Sequence, residues 1–305
     1  MNRREMDGMR KKIVAAALLL VASLGAGYET IVAHDGVATR GKSNRLYMEL
    51  SDRQCAFLAA TRAERERTIA DAGAREALAS GSRCAVDGVT NFRDLGGLRG
   101  YGGKSVRKGI LFRSGRFDMI SPFGRELLVK ELGIRTDLDL RGEVETSGLN
   151  GVSPLGTNVY WRLVPLLAYD AIESTEGRKW MKEALDVVFD RRNWPVAFHC
   201  KTGKDRTGTL AFVILALLGV SEDDICLDWE VTAFYVPELS RMNHVGRYDR
   251  LLSYILRLPG ADLCEKVENY VLSLGFSVEA VESFRRDMLE VAVVSICDCV
   301  AADVS

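Results

Sequence analysis

Cys200 and Arg206 are separated by five residues in the segment His199-Cys-Lys-Thr-Gly-Lys-Asp-Arg-Thr-Gly208. A short loop of this kind, placed between a buried strand and a helix, is a cradle for an anion. Successive backbone N–H groups converge on one phosphate, and the start of the following helix adds a favourable dipole. Lys201, Thr202, Gly203, Lys204, Asp205 and Arg206 are therefore the expected phosphate-binding residues, with Gly203 allowing a turn that a side chain would hinder. The field that holds phosphate also stabilises a thiolate, so Cys200 is expected to ionise below the ordinary cysteine range and act as a nucleophile. Arg206 can grip two phosphoryl oxygens with its planar fork. Thr207 can donate its hydroxyl to the sulfur as it leaves. His199 is read as a brace for the loop and not as the base.

The elements that must hold this loop can be read around it. Val196-Ala-Phe198 is short and apolar, as a buried strand is. Thr207 to Leu218 reads as an apolar helix with Gly219 at its C-terminal cap, followed by a capping-box start at Ser221 with Asp224. Upstream, Asn91–Gly97 and Gly109–Arg113 read as strand pieces set off by glycines, 122–131 as a helix, and Ile134–Arg141 as a strand that ends in charge. Residues 176–192 have helical spacing, and further helices are expected near 246–258, 261–274 and 278–292. Phe234, Tyr235, Tyr248, Leu251, Tyr254 and Ile255 are expected to be core and not a lid. Strands alternating with helices imply an α/β fold, a mostly parallel central sheet flanked by helices, with the site at the C-terminal ends of the strands.

Residues 199–208 resemble the signature loop of protein tyrosine and dual-specificity phosphatases. A chance match to His-Cys-x-x-Gly-x-x-Arg-Ser/Thr is expected in roughly one chain in 10⁴ or fewer. Asn91-Phe-Arg-Asp-Leu-Gly-Gly97, Arg113-Ser114 and Asp139-Leu-Arg141 resemble the accompanying motifs of the bacterial secreted branch of that superfamily, so the resemblance covers about residues 84–290. It implies the cysteine phosphatase fold, with extra helices on either side, and two-step hydrolysis of phosphate monoesters through a phospho-cysteine, without metal or cofactor. It also implies that Asp94 and Arg141 support the floor of the site. A rhodanese-like sulfur transferase also places Cys on a strand-to-helix loop, but its loop is typically one residue shorter.

Protonating the leaving oxygen needs a carboxylic acid within reach, and two are candidates. The resemblance assigns that role to the residue matching Asp205. Asp170 lies about where the wider superfamily carries a mobile acid loop. Lys201 and Lys204 resemble the lipid-phosphatase version of the motif. Two extra cations favour a polyanion, unless Lys204 pairs with a neighbouring carboxylate and Lys201 is solvated. Phosphorylated protein is the expected substrate, with dual specificity, and phosphoinositide or inositol phosphate is the alternative. A phosphate-binding module without catalysis is the reading from another class.

The remaining features set the context. The 305 residues carry 41 basic and 42 acidic side chains, net −1, so no global field draws nucleic acid. The basic stretch Met9–Lys12, the apolar run 13–22 and the small residues up to Gly27 read as a signal peptide over 1–27, and the run is shorter than the roughly 20 residues that span a bilayer. Export to a periplasmic or extracellular compartment is expected. A helical lead-in over 28–83, with two short helices between Leu50 and Leu78 broken at Gly73 and Gly81, precedes a catalytic domain over 84–292 and a tail over 293–305. The seven cysteines, at 55, 84, 200, 226, 264, 297 and 299, are an odd number. At least one thiol should therefore stay unpaired within the chain, and Cys200 is the candidate. With histidines only at 34, 199 and 244, Cys297-x-Cys299 lacks partners for a structural zinc.

Overall fold

The computed structural model describes residues 50–79, 86–235 and 244–291. The expected leader, most of the lead-in before Leu50, the tail, and Cys84, Cys297 and Cys299 lie outside the described residues. Among the described residues, no helix is long and apolar enough to cross a membrane.

The core is a five-stranded sheet. β1 (Arg93–Asp94) runs antiparallel to β3 (Leu111–Ser114), and β3, β6 (Val196–His199), β4 (Thr136–Asp139) and β5 (Tyr160–Leu163) follow in that order, all parallel. The expected mostly parallel α/β architecture is what the chain forms. Register aligns Ser114, His199 and Asp139 across the three central strands. The loops that leave them therefore emerge side by side at one end of the sheet, the place where open α/β sheets bind ligands.

Side chains alternate across the sheet as the two-residue period of a strand requires. Leu111, Val196, Phe198 and Leu138 enter the larger core. Phe112 and Ala197 point to the other face, with Phe92, Phe117 and Leu128. The second face is covered by α4 (Pro122–Glu126), capped by Ser121 and continued by a π turn over Leu127–Glu131. The first is covered by α6 (Thr175–Phe189), α7 (Asp205–Leu217), α10 (Leu263–Ser273) and α11 (Val278–Met288). α7 is buried on every side from Thr207 to Leu217, which is why its sequence is apolar all round. Gly219 then ends it at φ +75°, in the left-handed conformation of a helix cap.

α8 (Glu222–Glu230), capped by Ser221, leads into a 3₁₀ turn over Val231–Phe234, and α9 (His244–Leu256) follows. Phe234, Tyr248, Leu251, Tyr254 and Ile255 are buried in the main core and Tyr235 packs against it, as expected.

Three features depart from the sequence reading. Among the described residues 50–79 there are three helices and not two: α1 (Asp52–Ala59), α2 (Arg62–Ala70) and α3 (Ala72–Ala79). The breaks fall where Thr61 caps α2 with Glu64 and where the Asp71 carboxylate accepts the Ala74 N–H at 2.6 Å, so Gly73 sits inside a helix. Strand β5 escaped the sequence reading because it is an edge strand of Tyr160, Trp161, Arg162 and Leu163, none of them buried. The pair β2 (Ser105–Val106) and β7 (Leu289–Glu290) is two residues long and joins segments far apart in the chain. Helix α5 (Glu143–Thr146), just after β4, becomes important at the site.

Candidate active site

Residues 200–204 link β6 to α7. All five of their carbonyls are held from outside the loop or by the helix. The Cys200 carbonyl takes a bond from His199 Nδ1 (3.2 Å), that of Lys201 from the Arg116 N–H (3.2 Å), and that of Lys204 from the Gly208 N–H (2.7 Å). Asn91 Nδ2 donates to the carbonyls of Thr202 (3.1 Å) and Gly203 (2.9 Å), and Arg113 Nη2 also donates to Gly203 (2.8 Å). In a trans peptide the N–H points opposite to the C=O, so pinning the carbonyls outward turns the amides to the inner side of the loop. Gly203 has φ +70°, and a Cβ there would stand 2.4 Å from the Ser114 carbonyl oxygen. Only glycine fits.

The struts are themselves fixed. Asp228 on α8 accepts from Arg93 Nε (3.0 Å) and from Arg113 Nη1 (2.5 Å), and Arg93 also bonds the Asn91 side-chain oxygen. Arg93, Arg113 and Asp228 are all buried. Asp94 closes the β1–β3 turn by accepting the N–H groups of Gly96 (2.8 Å) and Gly109 (2.6 Å). Arg141 joins Asp139 (2.8 Å) to Asp118 (2.7 and 2.9 Å), tying the loop after β4 to the loop after β3. Asp94 and Arg141, expected as supporting positions, thus tie together the segments around the loop. Asn91, Arg93, Arg113 and Asp228 extend that support beneath the loop.

Beneath the loop, His199 Nε2 lies 2.8 Å from Asp137, which also accepts from Ser153 Oγ at 2.5 Å. Burial alone would lower the imidazole pKa, but Asp137 and Asp139 outweigh it and raise it to about 9. The ring is therefore protonated at neutral pH and donates from both nitrogens, to Asp137 and to the Cys200 carbonyl.

Cys200 is 2% exposed. Burial pushes its thiol pKa up, but the Thr207 hydroxyl and N–H, the Arg206 charge and the Thr202 N–H together bring it below the ordinary value. Thr207 Oγ1 is buried without a satisfied hydrogen bond in this geometry. Since it still acts on the ionisation of the sulfur beside it, it is a donor held in reserve for the thiolate. Arg206 is close enough to Cys200 for each to favour the charged form of the other. Its two Nη groups bind Glu145 of α5, Nη1 to Oε2 at 2.5 Å and Nη2 to Oε1 at 2.9 Å.

The two acid candidates differ in setting. Asp205 opens α7, and its Oδ1 accepts from the Tyr169 hydroxyl and stands 3.5 Å from Lys204 Nζ. Asp170 is committed to Arg250 of α9, at 2.8 and 2.9 Å. Lys204 is buried and pairs with Asp205, while Lys201 is exposed at the rim. Glu145, Asp137 and Tyr169 escaped the sequence reading. The recoverable signal for Glu145 was its position three residues after Gly142, where its carboxylate accepts the Gly142 N–H at 3.0 Å as a capping box does.

A model of a tyrosine phosphatase family matches residues 84–290. The chain is 29% identical over 238 residues to a Cupriavidus necator protein bearing a tyrosine-protein phosphatase name, over 68% of this chain and 85% of that one. It is 27% identical over 199 residues to the triple specificity protein phosphatase PtpB of Mycobacterium tuberculosis, over 50% of this chain and 70% of the other. Among solved structures, the Pseudomonas aeruginosa TpbA structure matches at 18% identity with TM-score 0.36, covering 57% of this chain and 91% of that one. The catalytic core of the Saccharomyces cerevisiae PP-IP phosphatase SIW14 matches at 21% identity with TM-score 0.31, covering 49% and 90%.

Proposed function

Since the chain belongs to the tyrosine phosphatase family and is a phosphatase, we propose that it cleaves phosphate monoesters of proteins, phosphotyrosine first, through a phospho-cysteine at Cys200. The observation that carries this reading is the pinning of the carbonyls of residues 200–203 from outside the loop, beside a buried thiol whose pKa is lowered.

The Cys200 thiolate attacks phosphorus as the bond to the leaving oxygen breaks, and Asp205 gives that oxygen a proton. The loop amides and Arg206 take the growing charge on the phosphoryl oxygens, where preorganised donors count most. Asp205 then removes a proton from water as it attacks phosphorus. The S–P bond breaks, inorganic phosphate forms, and Thr207 donates to the returning thiolate. Asp205 is preferred to Asp170 because it sits at the loop, whereas both oxygens of Asp170 are engaged by Arg250.

A second reading, phosphoinositide or inositol phosphate hydrolysis, rests on the exposed Lys201 and on Arg247, since Lys204 is buried against Asp205 and is the weaker candidate for an extra phosphate. Lys201 is exposed, and Lys204 and Arg247 lie 3.5 and 3.9 Å from Asp205. Polyanions would find more than one partner there. Export, read from residues 9–27, is proposed with it.

The test is phosphate release by the full chain and by Cys200→Ser in EDTA, comparing a phosphotyrosine peptide with a phosphoinositide panel. Cys200-dependent release from the peptide supports the first reading, and preference for the inositides supports the second. No Cys200-dependent release from any substrate would overturn both and leave a binding module.

A further inference from the structure

Resting on that reading, we propose that Tyr169 is a positioning residue for the proton transfer: its hydroxyl holds one carboxyl oxygen of Asp205 so that the other carries the proton to the leaving group.

Tyr169 begins the 3₁₀ turn Tyr169–Glu173 that follows β5, and it does so at φ +60°. A tyrosine in the left-handed region persists only where its surroundings over-determine it. Here they do. The Tyr169 N–H donates to Thr209 Oγ1 at 3.0 Å, and Thr209 Oγ1 donates to the Asp205 carbonyl at 2.9 Å. The backbone of Tyr169 is thus locked, through one hydroxyl, to the backbone of the residue its own side chain meets. The ring packs 6.1 Å from Trp229, and the Arg247 guanidinium lies 5.5 Å from the ring centre on its other contact.

The contacts on Asp205 are asymmetric. The Tyr169 hydroxyl, Lys204 Nζ and the Arg247 guanidinium all lie against Oδ1. Oδ2 is left as the oxygen for the transferable proton. Arg247 Nη1 donates to the Tyr169 oxygen at 3.2 Å, which commits the phenol proton to Asp205. Burial and Asp205 also hold the phenol pKa well above the ordinary tyrosine value, so the hydroxyl remains a donor throughout the working range. Arg247 and Arg250, one turn apart on α9, anchor Tyr169 and Asp170 respectively. The turn beside the loop is therefore clamped from two sides.

A merely structural tyrosine and a positioning tyrosine separate by leaving group. Expulsion of phenol needs a proton, whereas expulsion of a strongly acidic fluorinated umbelliferone does not. The experiment measures kcat/KM on phenyl phosphate and on difluoromethylumbelliferyl phosphate for the full chain, Tyr169→Phe, Asp205→Asn, the double variant and Cys200→Ser, with thermal unfolding of each as a control. Tyr169→Phe keeps the ring and its packing. It is expected to lose about tenfold on phenyl phosphate and less than about twofold on the fluorinated ester. Asp205→Asn shows the same selectivity more strongly, and the double variant loses nothing beyond Asp205→Asn. Equal loss by Tyr169→Phe on both esters, or an additive loss in the double variant, would overturn the proposal while leaving Asp205 as the acid. If Asp205→Asn is itself unselective, both the acid assignment and the role of Tyr169 fall. Activity that survives in Cys200→Ser would sink the underlying mechanism instead.

Discussion

Arg206 and Glu145 meet in a two-bond fork, Nη1 to Oε2 at 2.5 Å and Nη2 to Oε1 at 2.9 Å, and the Glu145 carboxylate is held in turn by the Gly142 N–H at 3.0 Å. A guanidinium on a flexible stem is thereby fixed beside the sulfur before any phosphate arrives, which lowers the ordering cost of binding.

Glu145→Gln keeps the shape but loses the charge and one acceptor of the fork. The expected loss in kcat/KM is about 10- to 100-fold, with weaker inhibition by inorganic phosphate, because Arg206 serves both ground and transition state. Arg206 lowers the Glu145 pKa from 4.5 to about 2. A carboxylate with a depressed folded pKa keeps its contribution above the unfolded value and loses it on acidification through the folded one. The pair therefore stays intact above pH 4.5, and any acid limb of activity above that pH belongs to another group. Full activity of Glu145→Gln on a phosphotyrosine peptide would refute this.

The Thr207 hydroxyl, buried and unsatisfied, should matter more for the sulfur than for the fold. Thr207→Val fills similar space and removes the donor. The alkylation rate of Cys200 by iodoacetamide, followed against pH, should then rise at higher pH than in the unaltered protein. Turnover should fall about tenfold or more as dephosphorylation slows, with the unfolding midpoint little changed. An unmoved alkylation profile would place stabilisation of the thiolate on the backbone and Arg206 alone.

The strand–loop–helix and its candidate nucleophile were legible because they are contiguous: Cys200, Gly203, Arg206 and Thr207 lie within eight residues, and each has a residue type that the proposed chemistry requires. What was missed arrives through the fold. Glu145 reaches Arg206 across 61 positions, Asp137 reaches His199 across 62, and Asp228 reaches Arg113 across 115. No local spacing predicts such pairs. Lys204 shows the converse. Its place in the motif suggested substrate contact, yet it is 6% exposed and its amine faces Asp205. The sheet was legible from the apolar run Val196–Phe198 and the alternation over 134–141, whereas Tyr160–Leu163, an edge strand with no buried residue, has neither signal.

His199 gives a pH dependence whose sign follows from its surroundings. Its pKa rises from 6.5 unfolded to about 9 folded, against burial and because of Asp137 and Asp139. A base with a raised folded pKa contributes stability that is complete below the unfolded value and is lost as pH rises through the folded one. The urea midpoint of the protein, measured relative to His199→Asn, should therefore shrink between pH 6.5 and about 9. A difference that fails to shrink over that interval would mean that the ring is neutral in the folded protein.

Asp228 serves two buried cations at once. It bonds Arg93 Nε at 3.0 Å and Arg113 Nη1 at 2.5 Å, and Arg113 holds the Gly203 carbonyl at 2.8 Å. Removing one partner of a buried ion pair leaves a desolvated charge, so Asp228→Ala should cost about 3–5 kcal/mol in denaturant unfolding. Activity should fall further than stability explains, since without Arg113 the Gly203 carbonyl keeps only Asn91 as a strut, and the Lys204 N–H in the same peptide plane is held less firmly toward the inside of the loop. Arg65 supplies the comparison. It is paired with Glu230 on the same helix α8 and is also buried, but it holds no carbonyl of the loop. Arg65→Ala should destabilise by a similar amount while kcat of the folded fraction stays within about twofold. If the two variants lost kcat equally at temperatures where both are folded, the carbonyl strut would have no catalytic consequence, and α8 would act on the site only through global stability.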